Sequence, residues 1–520
     1  MSSSVKAALL PKMDMRRWTG LGAMLLVALI LRGARLSEPP GGFHVFNEGF
    51  YIDLARRMAQ QPFFGWLTHP LDVNNPPLFP LFVSLLYRLG APLVAGARAV
   101  SVASGVVTVY ATFLLGRLLY TDRVGTIAAA LVAVMPGVVM VDHNIQVDPL
   151  FVALMVGSVL LYVVAARTGS NGSAIAAGVM LGLCLLTKQA AVVAVAALFM
   201  WETWSASGLR WLKNPRVWRF GVAFVAVGAP WFLVQAVTNK AGQMFANAAS
   251  ISQTSTAMGY GTTFWTTFLG GELLAMLFPA VALLAVIGLV MQARRHGPAD
   301  KLVISMCVGY VAWYVVFHQH SYYLLPLGPV AALAAAHAFD ALTSRVPKWP
   351  VAVSAALLVP VAFAAVVMLA GHKWGYFSPM SLHAPASSSG VTRLYVDPGA
   401  TDFYGPTVDV VDSRYKVIRQ GVGTYAAESA QTNDGSVILA GDVRRADGTP
   451  ITPAEILSDT WYEPVAFGYA ITATPMNLTW TSFFGGSRWA ARRVGPPWRF
   501  GMQQSTVPCF YALYDRDCFR

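Results

Sequence analysis

"VDHNIQVDPLFVALMVGSVLLYVVAAR", residues 141–167, runs from a polar stretch carrying Asp142, His143 and Asp148 straight into an apolar segment that ends on Arg167. The apolar part, 149–166, reads as a helix close to the roughly 20 residues a bilayer crossing needs. Its closing arginine sits where a cytoplasmic loop gathers its cations. The polar part therefore lies at the outer membrane face. There, ionisable groups beside a span are costly unless paired or solvated, which makes them candidates for function.

The same alternation recurs through 18–370. The chain has 520 residues, 56% of them hydrophobic and 12% charged, with mean hydropathy +0.53. Soluble chains carry roughly 25% charged residues, so the composition is that of an integral membrane protein. The net charge of +12 comes from Lys and Arg in short loops between apolar runs, where they face anionic lipid. Membrane lipids, not nucleic acid, are the partners this pattern implies.

Lys6, Lys12, Arg16 and Arg17 precede a first span at 18–36, and no small-residue cleavage site follows it. The amino terminus is expected to be cytoplasmic and the span a retained anchor. Residues 37–94 then form the first external loop, within which "NNPPLFPLFVSLLYRLG", 74–90, reads as a helix lying on the outer membrane surface. Further spans are expected at 95–116, 124–141, 149–166, on both sides of "TKQ" (187–189), and at 220–238, 267–292, 302–317, 322–343 and 350–370. About eleven spans result, and this assignment puts basic loops such as "SGLRWLKNPRVWR" and "ARRHGPADK" inside.

Residues 372–520 contain no comparable run and read as a soluble external domain of mixed α and β structure, with strand-like "VTRLYVD" and "GSVILAG". Cys184 and Cys307 lie in apolar runs and read as packing residues. Cys509 and Cys518 are a disulfide candidate, which implies an oxidising compartment.

Several external features converge: "FNEGFY" with Asn47, Glu48 and Tyr51; the turn at Asn75; Asp142, His143 and Asp148; and "HQHSYY" with His318, His320, Tyr322 and Tyr323. Lys188, near the end of a short span, joins them. Each has a plainer reading. Asp148 could be a helix cap, Glu48 a helix N-terminal carboxylate and Lys188 a snorkelling cation. The two histidines could be interfacial hydrogen-bonders, since two His one residue apart are a weak metal signal. Arg56 and Arg57 follow Glu48 on a helix-like segment and face water or phosphate.

At these residues the chain resembles the GT-C glycosyltransferases of the dolichyl-phosphate-mannose protein mannosyltransferase and lipid A aminoarabinose transferase kind. "NEGFYIDLARRM" is similar to the family's first external motif at Glu48, Tyr51, Ala55, Arg56 and Met58. "NPPLFP", "VDPLFVAL", "GVMLGLCLLTKQAA" and "HSYYLLPLGPVAALAAA" resemble the family's later segments, in the same order. Two positions depart from the pattern: Asn47 stands where the family has an Asp that is a leading candidate for catalytic base, and Asn75 stands where it has a Lys. Three readings follow from Asn47: Glu48 or Asp148 acts instead, the acceptor needs no strong base, or the chain is catalytically weak.

The resemblance implies a GT-C transmembrane catalytic domain over 1–371 and an extracytoplasmic domain over 372–520, in a bacterial cytoplasmic (inner) membrane. It implies transfer of a sugar from a polyprenyl-phosphate donor to a lipid, cell-envelope glycan such as lipopolysaccharide, or protein. Glu48, Asp148 and Asn47 are then the catalytic positions. Tyr51, Arg56, Arg57, Asn75, His143, Lys188, His318, His320, Tyr322 and Tyr323 bind substrate. No cofactor is called for, and a divalent metal is compatible with the site. The alternatives are a lipid-linked-sugar-binding protein without turnover and a transporter. A transporter predicts internal repeats and ionisable groups at mid-membrane depth, neither of which the sequence displays.

Overall fold

The computed structural model describes residues 15–34, 45–68, 75–206, 208–238, 273–317, 321–344 and 350–372, the single positions 36 and 242, and five strands between 393 and 515. Within them the chain is a helical membrane protein. Four helices are long and apolar enough to cross a bilayer: α5 (Leu93–Leu119), α8 (Asp148–Thr168), α11 (Pro215–Val237) and α14 (Pro298–Val316). A bent pair, α6 (Asp122–Val134) and α7 (Pro136–His143), is apolar enough only when taken together, and its helices meet at 59°. Other apolar segments are shorter helices: α1 (Met15–Gly33), α9 (Asn171–Leu185), α10 (Ala191–Ser205) and α15 (Leu327–Thr343), together with α16 (Pro350–His372).

Three expected spans differ in detail. The run 124–141 is broken because Pro136 lacks an amide hydrogen and cannot continue the helical ladder. The run 267–292 begins, among described residues, with a short α12 (Leu273–Leu277) and restarts at α13 (Pro279–Arg295) after Phe278, whose φ of 72° breaks the helix. The run 322–343 opens as a 3-10 turn, Ser321–Leu324, ahead of α15.

Between α1 and α5 the chain forms α2 (Val45–Gln60), α3 (Gly65–Thr68) and α4 (Leu78–Arg88). Helix α4 is apolar on both its buried and its exposed side. It buries Leu78, Phe79 and Val83, while Phe82, Leu85 and Tyr87 are exposed on the other side. Helix α2 packs on α4, and Arg88 donates to the carbonyl of Met58 at 2.9 Å.

Small residues let the long helices approach. A side chain at Gly178 would strike the Phe220 carbonyl, and one at Gly288 the Ala334 carbonyl, at the α9–α11 and α13–α15 seams. Polar groups collect in two layers. One holds Arg117–Asp122 (2.7 Å), Arg295–Asp300 (2.7 Å) and Arg123–Asp340 (3.1 Å). The other is built around Arg98, at the opposite end of α5. From Arg98 to Arg117 a helix rises about 28 Å, close to the hydrocarbon thickness of a bilayer.

The strands β1 (Arg393–Val396), β2 (Lys416–Ile418), β3 (Ser436–Leu439), β4 (Pro464–Ala470) and β5 (Cys509–Asp515) form one sheet in the order β2-β1-β3-β5-β4. β1 pairs in parallel with β2 and β3, and β5 is antiparallel to β3 and β4. The two segments expected as strands are β1 and β3. Cys509 opens β5, and Cys518 lies outside the described residues.

Candidate active site

The polar stretch 142–148 is not an open loop: every residue in it is buried. Asp142 and His143 end α7, residues 144–147 turn, and Asp148 begins α8. Each side of the turn is held by a partner from a different part of the chain.

Arg32, fully buried near the end of α1, pairs with Asp142 (Nε to Oδ2, 2.8 Å). It also donates to the carbonyls of Val132 (2.9 Å) and Ala133 (2.8 Å). Those carbonyls sit at the break before Pro136, where the helix supplies no amide for them. The guanidinium fills that gap and is neutralised by Asp142. Gly105 of α5 makes room for the pair, because a Cβ there would sit 2.5 Å from Asp142 Oδ2 and 2.7 Å from Arg32 Nε. A ring nitrogen of His143, Nδ1, lies 2.9 Å from the Arg32 carbonyl.

Glu48, in the first turn of α2, is fully buried and accepts from the Ile145 amide at 2.9 Å. Arg98 of α5 lies 3.6 Å from the same oxygen, and it donates to the Leu36 carbonyl at 2.9 Å. Ser101 Oγ donates to the Gln146 carbonyl at 3.2 Å. Glu48 therefore faces the turn from within the protein. Asn47 precedes it on α2, and its side chain lies outside the description.

Asp148 does not cap its own helix; α8 has Val147 at that position, with no side-chain bond. Its carboxylate instead accepts from Lys188 Nζ at 2.6 Å. Lys188 lies in the turn between α9 and α10 and is largely enclosed, not extended into solvent: its side chain is 15% exposed. The ammonium also stands over two aromatic faces, 4.2 Å from the Tyr323 ring centre and 5.0 Å from that of Tyr322. Those rings pack edge to face.

The turn at Asn75 joins the same assembly. Tyr51 donates to Asn75 Oδ1 at 3.3 Å, and the Leu78 amide donates to the Leu186 carbonyl, two residues before Lys188, at 2.9 Å. Tyr51, Phe79, Ile145, Leu150, Leu186 and Trp231 share one hydrophobic cluster beneath it. Segments separated by hundreds of residues thus meet at one end of the bundle.

Arg56 and Arg57 are the exception. Both pair with Asp53 on their own helix, at 2.7 and 2.9 Å, and are partly exposed. His318 and His320 lie outside the described residues. Among the described residues no group of three His, Cys, Asp or Glu is placed to hold a metal. Arg32 and Arg98 lie inside the expected spans 18–36 and 95–116 and were not singled out by the sequence reading; a guanidinium embedded in an apolar run was the available signal.

The body of apolar helices, with a buried acid–lysine pair gathered at one end, shares its fold with two solved membrane proteins, ArnT and AglB. A family model described as dolichyl-phosphate-mannose-protein mannosyltransferase matches residues 74–234, from the Asn75 turn through α11. ArnT from Cupriavidus metallidurans, solved bound to undecaprenyl phosphate, is similar in structure with a TM-score of 0.57 at 15% identity; the match covers 87% of this chain and 97% of that one. The oligosaccharyltransferase AglB from Archaeoglobus fulgidus, solved with an inhibitory peptide and a dolichol-phosphate, has a TM-score of 0.52 at 13% identity, covering 88% of this chain and 73% of that one. No curated protein matches the chain in sequence.

Proposed function

We propose that this protein is a membrane glycosyltransferase that moves a sugar from a polyprenyl-phosphate donor to an acceptor hydroxyl at the outer face of a bacterial cytoplasmic membrane. The observation that carries this reading is the enclosed Lys188 ammonium, held by Asp148 and two tyrosine faces at the end of the bundle. A cation in a low-dielectric site binds a phosphate strongly. The lipid-phosphate ligands of the structurally similar proteins support the same choice of donor.

In this mechanism the donor phosphate takes the place of the carboxylate as the partner of Lys188, which frees Asp148. The acceptor oxygen attacks the anomeric carbon and the carbon–oxygen bond to phosphate breaks. The phosphate leaves with the electron pair, stabilised by Lys188, and the acceptor proton passes to Asp148. A single displacement inverts the anomeric centre. Glu48 acts as a positioning residue, since its oxygen is engaged by the Ile145 amide and Arg98 holds a place beside it. Residues 1–371 form the catalytic domain in this reading, with about eleven crossings. Residues 372–520 form an external α/β domain that covers the site or recognises the acceptor.

A binding experiment tests the site. Labelled undecaprenyl phosphate, titrated into the protein in nanodiscs, should bind Lys188→Met at least about tenfold more weakly than wild type, with Lys188→Arg between them. Equal affinity of wild type and Lys188→Met would remove Lys188 from the phosphate site. A second reading, a lipid-linked-sugar-binding protein without turnover, is favoured by Asn47, and predicts binding with no consumption of donor.

A further inference from the structure

Helix α11 carries two polar groups that the site described above leaves unused. Its buried face runs through Val217, Phe220, Gly228, Trp231 and Gln235, a helical stripe whose Phe220 and Gly228 meet α9. Gln235 is fully buried, and among the described residues neither its amide oxygen nor its amide nitrogen has a hydrogen-bond partner; the indole nitrogen of buried Trp231 has none there either. One turn of helix separates the two residues, so they share a face.

The register of the seam fixes where that face lies. Gly178 meets Phe220, Gly182 meets Phe224 and Val227, and Gly228 meets Leu185, so α9 and α11 advance side by side in the same direction. Helix α9 ends at Leu185. Trp231 therefore stands level with the turn that carries Lys188, and Gln235 lies one turn beyond. Helix α3 also packs against α11. It brings Trp66, whose indole nitrogen is also enclosed, with no partner among the described residues. Trp231 belongs to the cluster that contains Tyr51 and Leu186, and Trp66, partly buried, packs against that cluster.

We propose that Trp66, Trp231 and Gln235 form a carbohydrate subsite that binds hydroxyl groups of the donor sugar beside the Asp148–Lys188 pair. The chemistry selects this ligand class. Two indole N–H groups and an amide N–H need acceptors, whereas the amide oxygen needs a donor. A phosphate oxygen ester offers only acceptors, and a lipid chain offers neither. Sugar hydroxyls offer both, and indole faces pack against the apolar face of a pyranose. Buried polar groups left unpaired destabilise the empty site, so a ligand that completes their bonds is bound in preference to one that lacks them.

The inference rests on the proposed donor, and its test separates the two. Full-length protein in nanodiscs is titrated with undecaprenyl phosphate and with undecaprenyl-phosphate glucose, mannose and galactose, for wild type, Trp231→Phe, Gln235→Leu and Trp66→Phe. The substitutions remove hydrogen-bonding groups and leave apolar side chains in their place. Wild type is expected to bind one sugar-bearing lipid at least tenfold more tightly than the bare lipid, and the variants to lose most of that preference while binding the bare lipid unchanged. Trp66→Phe and Gln235→Leu decide the matter if Trp231→Phe does not fold. Variants that keep the preference, or a wild type with none, overturn the subsite. A wild type that binds none of these lipids overturns the proposed donor instead.

Discussion

Replacing Asp142 with Leu should be among the most damaging single substitutions outside the reacting groups. Arg32 and Asp142 are both buried, 2.8 Å apart. At an effective dielectric near 20, unit charges about 4 Å apart attract by roughly 4 kcal/mol. Removing one member of a buried pair costs about 3–5 kcal/mol, because the other charge stays behind uncompensated. Asp142→Leu should fall in that range. Arg32→Met should cost at least as much, since it also strips the Val132 and Ala133 carbonyls of their donors. The double variant Arg32→Met/Asp142→Leu buries no charge and should be more stable than the sum of the singles implies, with a coupling of about 2 kcal/mol or more. The assay is a double-mutant cycle of unfolding free energies measured in one lipid environment. Costs that add to within about 0.5 kcal/mol, the range for independent sites, would refute the claim that this pair holds the broken helix.

Further outcomes follow from the same contacts. Gly105→Ala should destabilise the protein by about 1–3 kcal/mol in the same assay, as overpacking does, because its new methyl meets both members of that pair. Glu48→Gln should leave the fold intact, since an amide oxygen still accepts from the Ile145 N–H. Glu48→Ala orphans that amide and should lower stability by about 1–3 kcal/mol by thermal unfolding. Arg57→Ala, which removes a half-exposed pair with Asp53, should change stability by no more than about 0.5 kcal/mol.

The sequence makes the membrane class plain, because long apolar runs and basic loops report directly on the bilayer. It also marks the segments of the candidate site. Asp148, Lys188, Tyr322, Tyr323, Tyr51 and Asn75 were singled out separately, and the fold brings them into one assembly. What hydropathy conceals is how such groups are held. The bend at Pro136 disappears inside a continuous apolar run, yet it creates the orphan carbonyls that Arg32 satisfies. Arg98 and Glu48 approach each other across fifty residues of chain, a proximity no local pattern carries. The Arg56 and Arg57 pairs with Asp53 follow instead from helical spacing, and were there to be read. Trp231 and Gln235 resemble ordinary span residues until burial and missing partners set them apart.

Turnover of a lipid-linked donor tests the central claim most directly. Purified protein in lipid would be given a panel of radiolabelled polyprenyl-phosphate sugars together with membrane extract as acceptor, and release of polyprenyl phosphate followed for wild type and Asp148→Asn. The account predicts release from one donor by wild type and a loss of at least about a hundredfold in Asp148→Asn, the scale of general base catalysis. Release at the wild-type rate by Asp148→Asn, or no release from any donor that the wild type binds, would contradict it.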